Sequence, residues 1–98
     1  MKAEPLLKTK RAVAEAAFVD IKVWHVPQKV RGSNHDLKYS LALVHHDECV
    51  LRYDNEAGKG DHKHIGDREV AYRFVDLARL EADFWKDVEE WLRKNGTR

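Results

Sequence analysis

Between positions 52 and 64 the chain reads Arg52-Tyr53-Asp54-Asn55-Glu56-Ala57-Gly58-Lys59-Gly60-Asp61-His62-Lys63-His64. A turn needs the glycines and at most Asp54-Asn55; the histidines, carboxylates and cations exceed that need. His62 and His64 are two apart, so an extended backbone presents both rings on one face. Near neutral pH one ring can act as general base and the other as general acid. Asp54 can orient an imidazole. Arg52, with Lys59 or Lys63, can hold a phosphate and offset the charge that builds on it. This set suits cleavage of RNA through its own 2′-hydroxyl, which needs no metal. The candidate catalytic residues are His62, His64, Asp54 and Arg52, and the candidate nucleic-acid contacts are Lys59, Lys63, Arg73 and Lys38. Tyr53, Asn55, Gly58, Gly60 and Asp61 are supporting residues; no metal or other cofactor is assigned.

Plainer readings compete. A His-x-His can be solvated loop material. Asp54, Asp61, His62 and His64 offer nitrogen and oxygen ligands to a metal, but no spacing fixes which set would close around it. Gly58-Lys59-Gly60 lacks the phosphate-loop spacing and no helix follows it, so a tight hairpin turn is the better reading. Cys49 lies between apolar strand residues and reads as a buried, inert thiol. Trp91 falls on an apolar helix stripe and reads as core, whereas Trp24 and Trp85 read as interface residues.

The flanking sequence is scaffold. Residues 6–14 read as a strand followed by a Glu15-Ala16-Ala17 turn, with a short helix over 12–17 as the competitor. In residues 18–26, Val19, Ile21 and Val23 alternate with Asp20 and Lys22, the period of a half-buried strand, and Pro27 ends it. A polar loop spans 28–36. In residues 37–45, Leu37, Tyr39, Leu41 and Leu43 share a face; the His46-Asp47 connection predicts a hairpin to 48–54, where Cys49, Leu51 and Tyr53 alternate with Val50, Arg52 and Asp54. Strands over 62–65 and 69–75 follow, the second with Val70, Tyr72 and Phe74 on one face. Asp76 can cap a helix running to about residue 95, with Leu77, Leu80, Phe84, Val88 and Trp91 as its apolar stripe and Gly96 as its stop. Glu89 with Arg93 and Glu90 with Lys94 are favourably ordered i,i+4 pairs.

The expected fold is α+β: one antiparallel sheet of five to six strands, meander-like, with a long C-terminal helix on one face. Val19, Ile21, Leu41, Leu43, Leu51, Tyr72 and Phe74 would face the helix. Lys22, Lys38, Ser40, Ala42, Arg52, Asp54, Ala71 and Arg73 would lie on the other face.

At 98 residues the chain, 1–98, reads as one domain, with 43% hydrophobic and 36% charged residues. The formal net charge of +1 does not announce a nucleic-acid binder, although six histidines would make the surface more basic if protonated. A single cysteine excludes an internal disulfide and a thiolate metal cluster. No apolar run reaches membrane-spanning length and Met1-Lys2-Ala3-Glu4 is no signal-peptide core, so a cytoplasmic, membrane-free protein is expected.

Arg52-Tyr53-Asp54-Asn55, Gly58-Lys59-Gly60-Asp61-His62-Lys63-His64, Tyr72-Arg73-Phe74 and Asp83-Phe84-Trp85-Lys86-Asp87-Val88 together resemble the TumE family of bacterial toxin–antitoxin toxins. The resemblance runs from about position 18 to 91, with the Tyr-Asp-Asn to His-x-His block its specific part. It implies a growth-inhibiting toxin of a type II system, partnered by a cognate antitoxin, a small DNA-binding protein. Together with the site chemistry, it leads to an RNA-directed translation inhibitor or metal-independent ribonuclease. The alternatives are a non-enzymatic toxin or interaction module that binds a protein, and a small metal- or ligand-binding domain. Open sheet edges add the expectation of a homodimer or a heterocomplex.

Overall fold

The computed structural model describes residues 3–96. In chain order its elements are β1 (Glu4–Ala14), β2 (Ala17–His25), β3 (Leu37–His45), β4 (Glu48–Glu56), β5 (Gly60–Ile65), β6 (Arg68–Ala71) and α1 (Leu77–Lys94). Each strand pairs antiparallel with its sequence neighbour, giving a six-stranded meander in the order β1-β2-β3-β4-β5-β6. This is the α+β sheet-and-helix architecture that the alternation predicts. The β3–β4 turn places His46 at φ 49 and Asp47 at φ 63. Two successive left-handed residues match the twist of a two-residue hairpin.

Alternation decides which face is covered. Val19, Ile21 and Val23 of β2, Tyr39, Leu41 and Leu43 of β3, and Leu51 and Tyr53 of β4 are buried against Leu80, Phe84 and Val88 of α1. Asp76 caps the helix, its Oδ1 accepting from the Arg79 N–H at 2.7 Å. Asn95 is the C-cap and Gly96, at φ 64, stops it. Polar ties reinforce the apolar contact. The Tyr53 hydroxyl donates to Asp87, Lys63 Nζ lies 3.2 Å from the same carboxylate, and Tyr72 donates to Asp83 at 2.6 Å. Glu90 and Lys94 pair at 3.0 Å.

Several details differ from the expectation. Cys49 is exposed, not buried. A bulge lies between the Leu43–Leu51 and Val44–Cys49 pairs. The extra residue, Val50, breaks the two-residue period, turning Cys49 out while Val50 packs against the core. The sixth strand covers only 68–71 rather than 69–75. Tyr72 still donates its N–H to Asp61 O at 3.0 Å, but beyond it β5 has begun at Gly60, whose backbone is met by Gly32, and the edge offers no further ladder. Tyr72 and Phe74 are consequently half-buried lids over the sheet end rather than full core residues. Residues 12–17 are strand and turn as expected, not the competing helix.

Two outcomes test this packing. Phe84 is fully buried, so Phe84→Ala should cost about 3–5 kcal/mol in chemical denaturation; a loss under about 1 kcal/mol would mean the helix does not seat here. Burial, and after it the hydrogen bonds to Asp87 and Asp83, push the Tyr53 and Tyr72 phenols up from their ordinary value. Unfolded phenols ionise at about pH 10, so the stability they contribute is whole below that pH and falls as pH rises past it. Thermal melts from pH 8 to 11 should show that alkaline loss, and Tyr72→Phe should reduce it.

Candidate functional site

The β4–β5 register builds the site. Asp54 pairs with His62 and Arg52 with His64, while Asn55 pairs with Asp61 and Tyr53 with Lys63. Side chains alternate across a pleat, so Arg52, Asp54, His62 and His64 emerge together on the face away from the helix. The β6 register adds a residue that sequence reasoning did not single out: Glu69 pairs with His64.

On this open face His62 Nε2 stands 2.8 Å from Asp54 Oδ1, and His64 Nε2 lies 3.9 Å from the same oxygen. Glu69 Oε2 is 3.2 Å from His64 Nε2 and 3.7 Å from His62 Nε2, and Lys59 Nζ is 3.9 Å from Glu69. Arg52 Nε ion-pairs with the other Asp54 oxygen at 3.1 Å. His62 Nδ1 lies 3.1 Å from Gly60 O; since a carbonyl only accepts, Nδ1 carries the proton. Close as these atoms are, Arg52 Nε, Asp54 Oδ1, His62 Nε2 and His64 Nε2 are all buried without an aligned hydrogen bond. The ring of His62 is edge-on to that of His64, centroids 4.9 Å apart. The cluster is thus a set of charged and lone-pair atoms that face one another and are not satisfied by one another.

The other predicted residues divide by face. Asp61 lies on the helix side. It accepts from Ser33 Oγ at 2.5 Å and Tyr39 OH at 2.7 Å and faces His35 Nε2 at 2.6 Å, so it does not join a metal-ligand set with Asp54, His62 and His64. Asn55 is fully buried, bridging the Tyr39 N–H, Leu37 O and Ser33 Oγ. Tyr53 and Lys63 serve the helix contact. Lys38 donates to Asn55 O. Lys59 and exposed Arg73 border a cleft of about 510 Å³ whose walls include Asn34, His35, Tyr72 and Phe74; Phe74 stacks on His35 at 3.7 Å. Asp54, His62 and His64 do not line this cleft; Lys59 stands between it and Glu69.

The glycines do more than turn the chain. Gly58 N–H donates to Arg31 O at 2.7 Å, so it is not free to cradle a phosphate. Gly60 has φ 75, and a Cβ there would meet Gly32 O at 2.6 Å. The loop between β2 and β3 therefore docks backbone to backbone on the start of β5, beside the carbonyl that fixes His62.

A small open-faced α+β domain carrying a histidine–carboxylate–arginine cluster on its uncovered face is the class that these features define. The family model described as Toxin TumE matches residues 3–92, a wider span than positions 18–91. The chain belongs to the TumE toxin family, and a toxin of a toxin–antitoxin pair implies an antitoxin as its partner. The search of curated proteins found no match, and neither did the search of solved structures. Among the described residues no helix is long and apolar enough to cross a membrane.

Gly60→Ala tests the loop docking. A left-handed non-glycine residue costs about 1–2 kcal/mol, and here the added methyl also meets a backbone oxygen. The variant should lose more than about 2 kcal/mol in thermal denaturation; Gly66→Ala, with open space around its Cβ position, should lose less. Equal losses would mean that the Gly32–Gly60 approach contributes nothing.

Proposed function

We propose that this toxin acts in the cytoplasm on RNA, as a metal-independent ribonuclease that inhibits translation, with the open-face cluster as its reacting site. The observation that carries this reading is the seat of Glu69. Its carboxylate lies 3.9 Å from Lys59 Nζ and 3.2 and 3.7 Å from Nε2 of His64 and His62, beside Arg52 and Asp54. An exposed anion set against these side chains occupies the place an incoming phosphate would take. Glu69 is 43% exposed along its side chain and Lys59 57%, so both can swing aside for substrate.

The roles follow from the contacts. His62 donates Nδ1–H to the Gly60 carbonyl and is the assigned proton donor through Nε2, which stands between Asp54 Oδ1 and Glu69 Oε2 and opens toward O5′ when Glu69 swings aside. His64, more exposed and at the mouth, is the acceptor. His64 takes the proton of the RNA 2′-hydroxyl; O2′ attacks the neighbouring phosphorus; Arg52 and Lys59 offset the charge on the five-coordinate intermediate. The P–O5′ bond then breaks as His62 protonates O5′, leaving a 2′,3′-cyclic phosphate and a 5′-hydroxyl. Asp54 is a positioning residue for His62. Arg73 and Lys59, on the rim of the cleft, give the strand a path away from the reacting phosphate, and Lys38 extends the basic surface of the open face.

The partner reading rests on the sheet edge. β1 is an eleven-residue edge strand with most side chains exposed. Such an edge accepts an added strand from an antitoxin or a second copy, and Trp24, half-buried on the open face beside Lys38, gives that partner an aromatic anchor. A small DNA-binding antitoxin seated there would form the expected heterocomplex.

His64→Ala and Asp54→Asn should each lower RNA cleavage by about 10²–10⁴-fold and relieve growth arrest, with thermal stability nearly unchanged for His64→Ala. Glu69→Ala should keep the activity and bind RNA more tightly. Folded His64→Ala that cleaves RNA and arrests growth like the parent would remove the enzymatic reading.

A further inference from the structure

The Asp54–His62 contact poses a problem that a proton solves in only one state of the site. With Nδ1–H committed to Gly60 O, neutral His62 carries its lone pair on Nε2. That lone pair sits 2.8 Å from a carboxylate oxygen, and no hydrogen bond joins them. Two acceptors this close repel unless a positive centre lies between them. His64 Nε2, 3.9 Å from the same oxygen and 3.2 Å from Glu69 Oε2, is likewise buried without a hydrogen bond. The His62 side chain is only 5% exposed, so water does not relieve it, and a buried polar atom left unpaired costs about 1–3 kcal/mol.

We propose that Asp54 Oδ1, His62 Nε2 and His64 Nε2 form a binding site for one first-row divalent transition ion, Zn²⁺ being the ion that their chemistry fits best. One ligand atom from each of the three residues lies within 4.8 Å of the other two. Ligands at metal bonds of about 2.0–2.2 Å stand roughly 3.4 Å apart around a tetrahedral centre; the two separations from Asp54 Oδ1, 2.8 and 3.9 Å, bracket that spacing. Two imidazoles and one carboxylate select Zn²⁺ and its neighbours over Mg²⁺ or Ca²⁺, which require oxygen donors. The surroundings are those of a metal site. The Gly60 carbonyl sets the His62 tautomer, and Arg52 holds Asp54 Oδ2, leaving Oδ1 as a single donor. All three ligands stand on paired strands rather than on a loop. Glu69 Oε2, 3.2 Å from His64 Nε2, can approach the fourth position or leave it to water.

The ion and the catalytic proton want the same lone pairs. An ion bound here leaves His64 unable to accept a proton and His62 unable to hold one, so Zn²⁺ would inhibit cleavage; that consequence rests on the acid–base reading above, whereas binding itself does not.

The test uses the full chain, dialysed against a chelator and then titrated with ZnCl₂ by calorimetry and with Co²⁺ by visible absorption. One ion per chain is expected, with the d–d bands of a four-coordinate Co²⁺ site. His64→Ala and Asp54→Asn should weaken Zn²⁺ at least about 10-fold, and far-UV circular dichroism should show both still folded. His45→Ala/His46→Ala, the other adjacent histidine pair, should bind like the parent. Absence of binding by the parent, or loss in the His45/His46 variant but not in His64→Ala, overturns the site. RNA cleavage is measured in parallel with chelator and with Zn²⁺. Binding with inhibition supports both proposals. Binding with activation supports the metal site and ends the metal-free mechanism. Chelator-resistant cleavage with no Zn²⁺ binding overturns the metal site alone.

Discussion

The register of one hairpin governs this molecule. Because Asp54 faces His62 and Asn55 faces Asp61, the pleat sends two polar sets to opposite sides of the same two strands. Asn55 and Asp61 become a buried frame with Ser33, His35 and Tyr39. Asp54, His62 and His64 become an outward cluster. A slip of one residue would exchange the sets, burying the imidazoles under the helix and turning the frame to the surface. Asp61, with two hydroxyl donors and an imidazole around it, and Asn55, with every polar atom of its side chain engaged, have no equivalent partners in the slipped register. The frame on one face thus holds the cluster on the other in place.

The two clusters also differ in kind. The frame is satisfied: its donors and acceptors meet at 2.5–3.2 Å. The outward cluster is not, since four of its buried atoms lack an aligned partner. Unsatisfied polar atoms in an otherwise consistent fold are expected where function has been favoured over stability. A proton or a metal ion would supply what Asp54 Oδ1 and the two imidazole nitrogens lack, and a phosphate what Arg52 Nε lacks; the frame has no use for any of them.

Much of this was legible before any coordinates. Period-2 alternation with well-marked turns placed the strands, and the two-apart histidines beside Asp54 and Arg52 located the open-face cluster. What escaped did so for identifiable reasons. Cys49 was assigned to the core because a bulge at Val50 has no signature in alternation. Glu69 was recoverable: a two-residue turn at Gly66-Asp67 pairs Ile65 with Arg68 and hence His64 with Glu69. His35, Ser33 and Tyr39 converge on Asp61 from 22 to 28 positions away, and no local pattern encodes that distance. Gly60 read as turn material because its second constraint, the approach of Gly32, lies in another loop. Lys63 and Lys38 read as nucleic-acid contacts; the fold gives each a partner as well, Asp87 and the Asn55 carbonyl, and composition cannot show which cations a fold engages.

If the open-face cluster cleaves RNA as proposed, the 2′-hydroxyl attacks the adjacent phosphorus. Mass spectrometry of products from an oligoribonucleotide, and from the same strand with a single 2′-deoxy residue at the cut position, tests it most directly. A 2′,3′-cyclic phosphate is expected on the first strand and no cut at that position in the second. Cleavage of the deoxy-substituted position at an unchanged rate, or products carrying a 5′-phosphate, would contradict it.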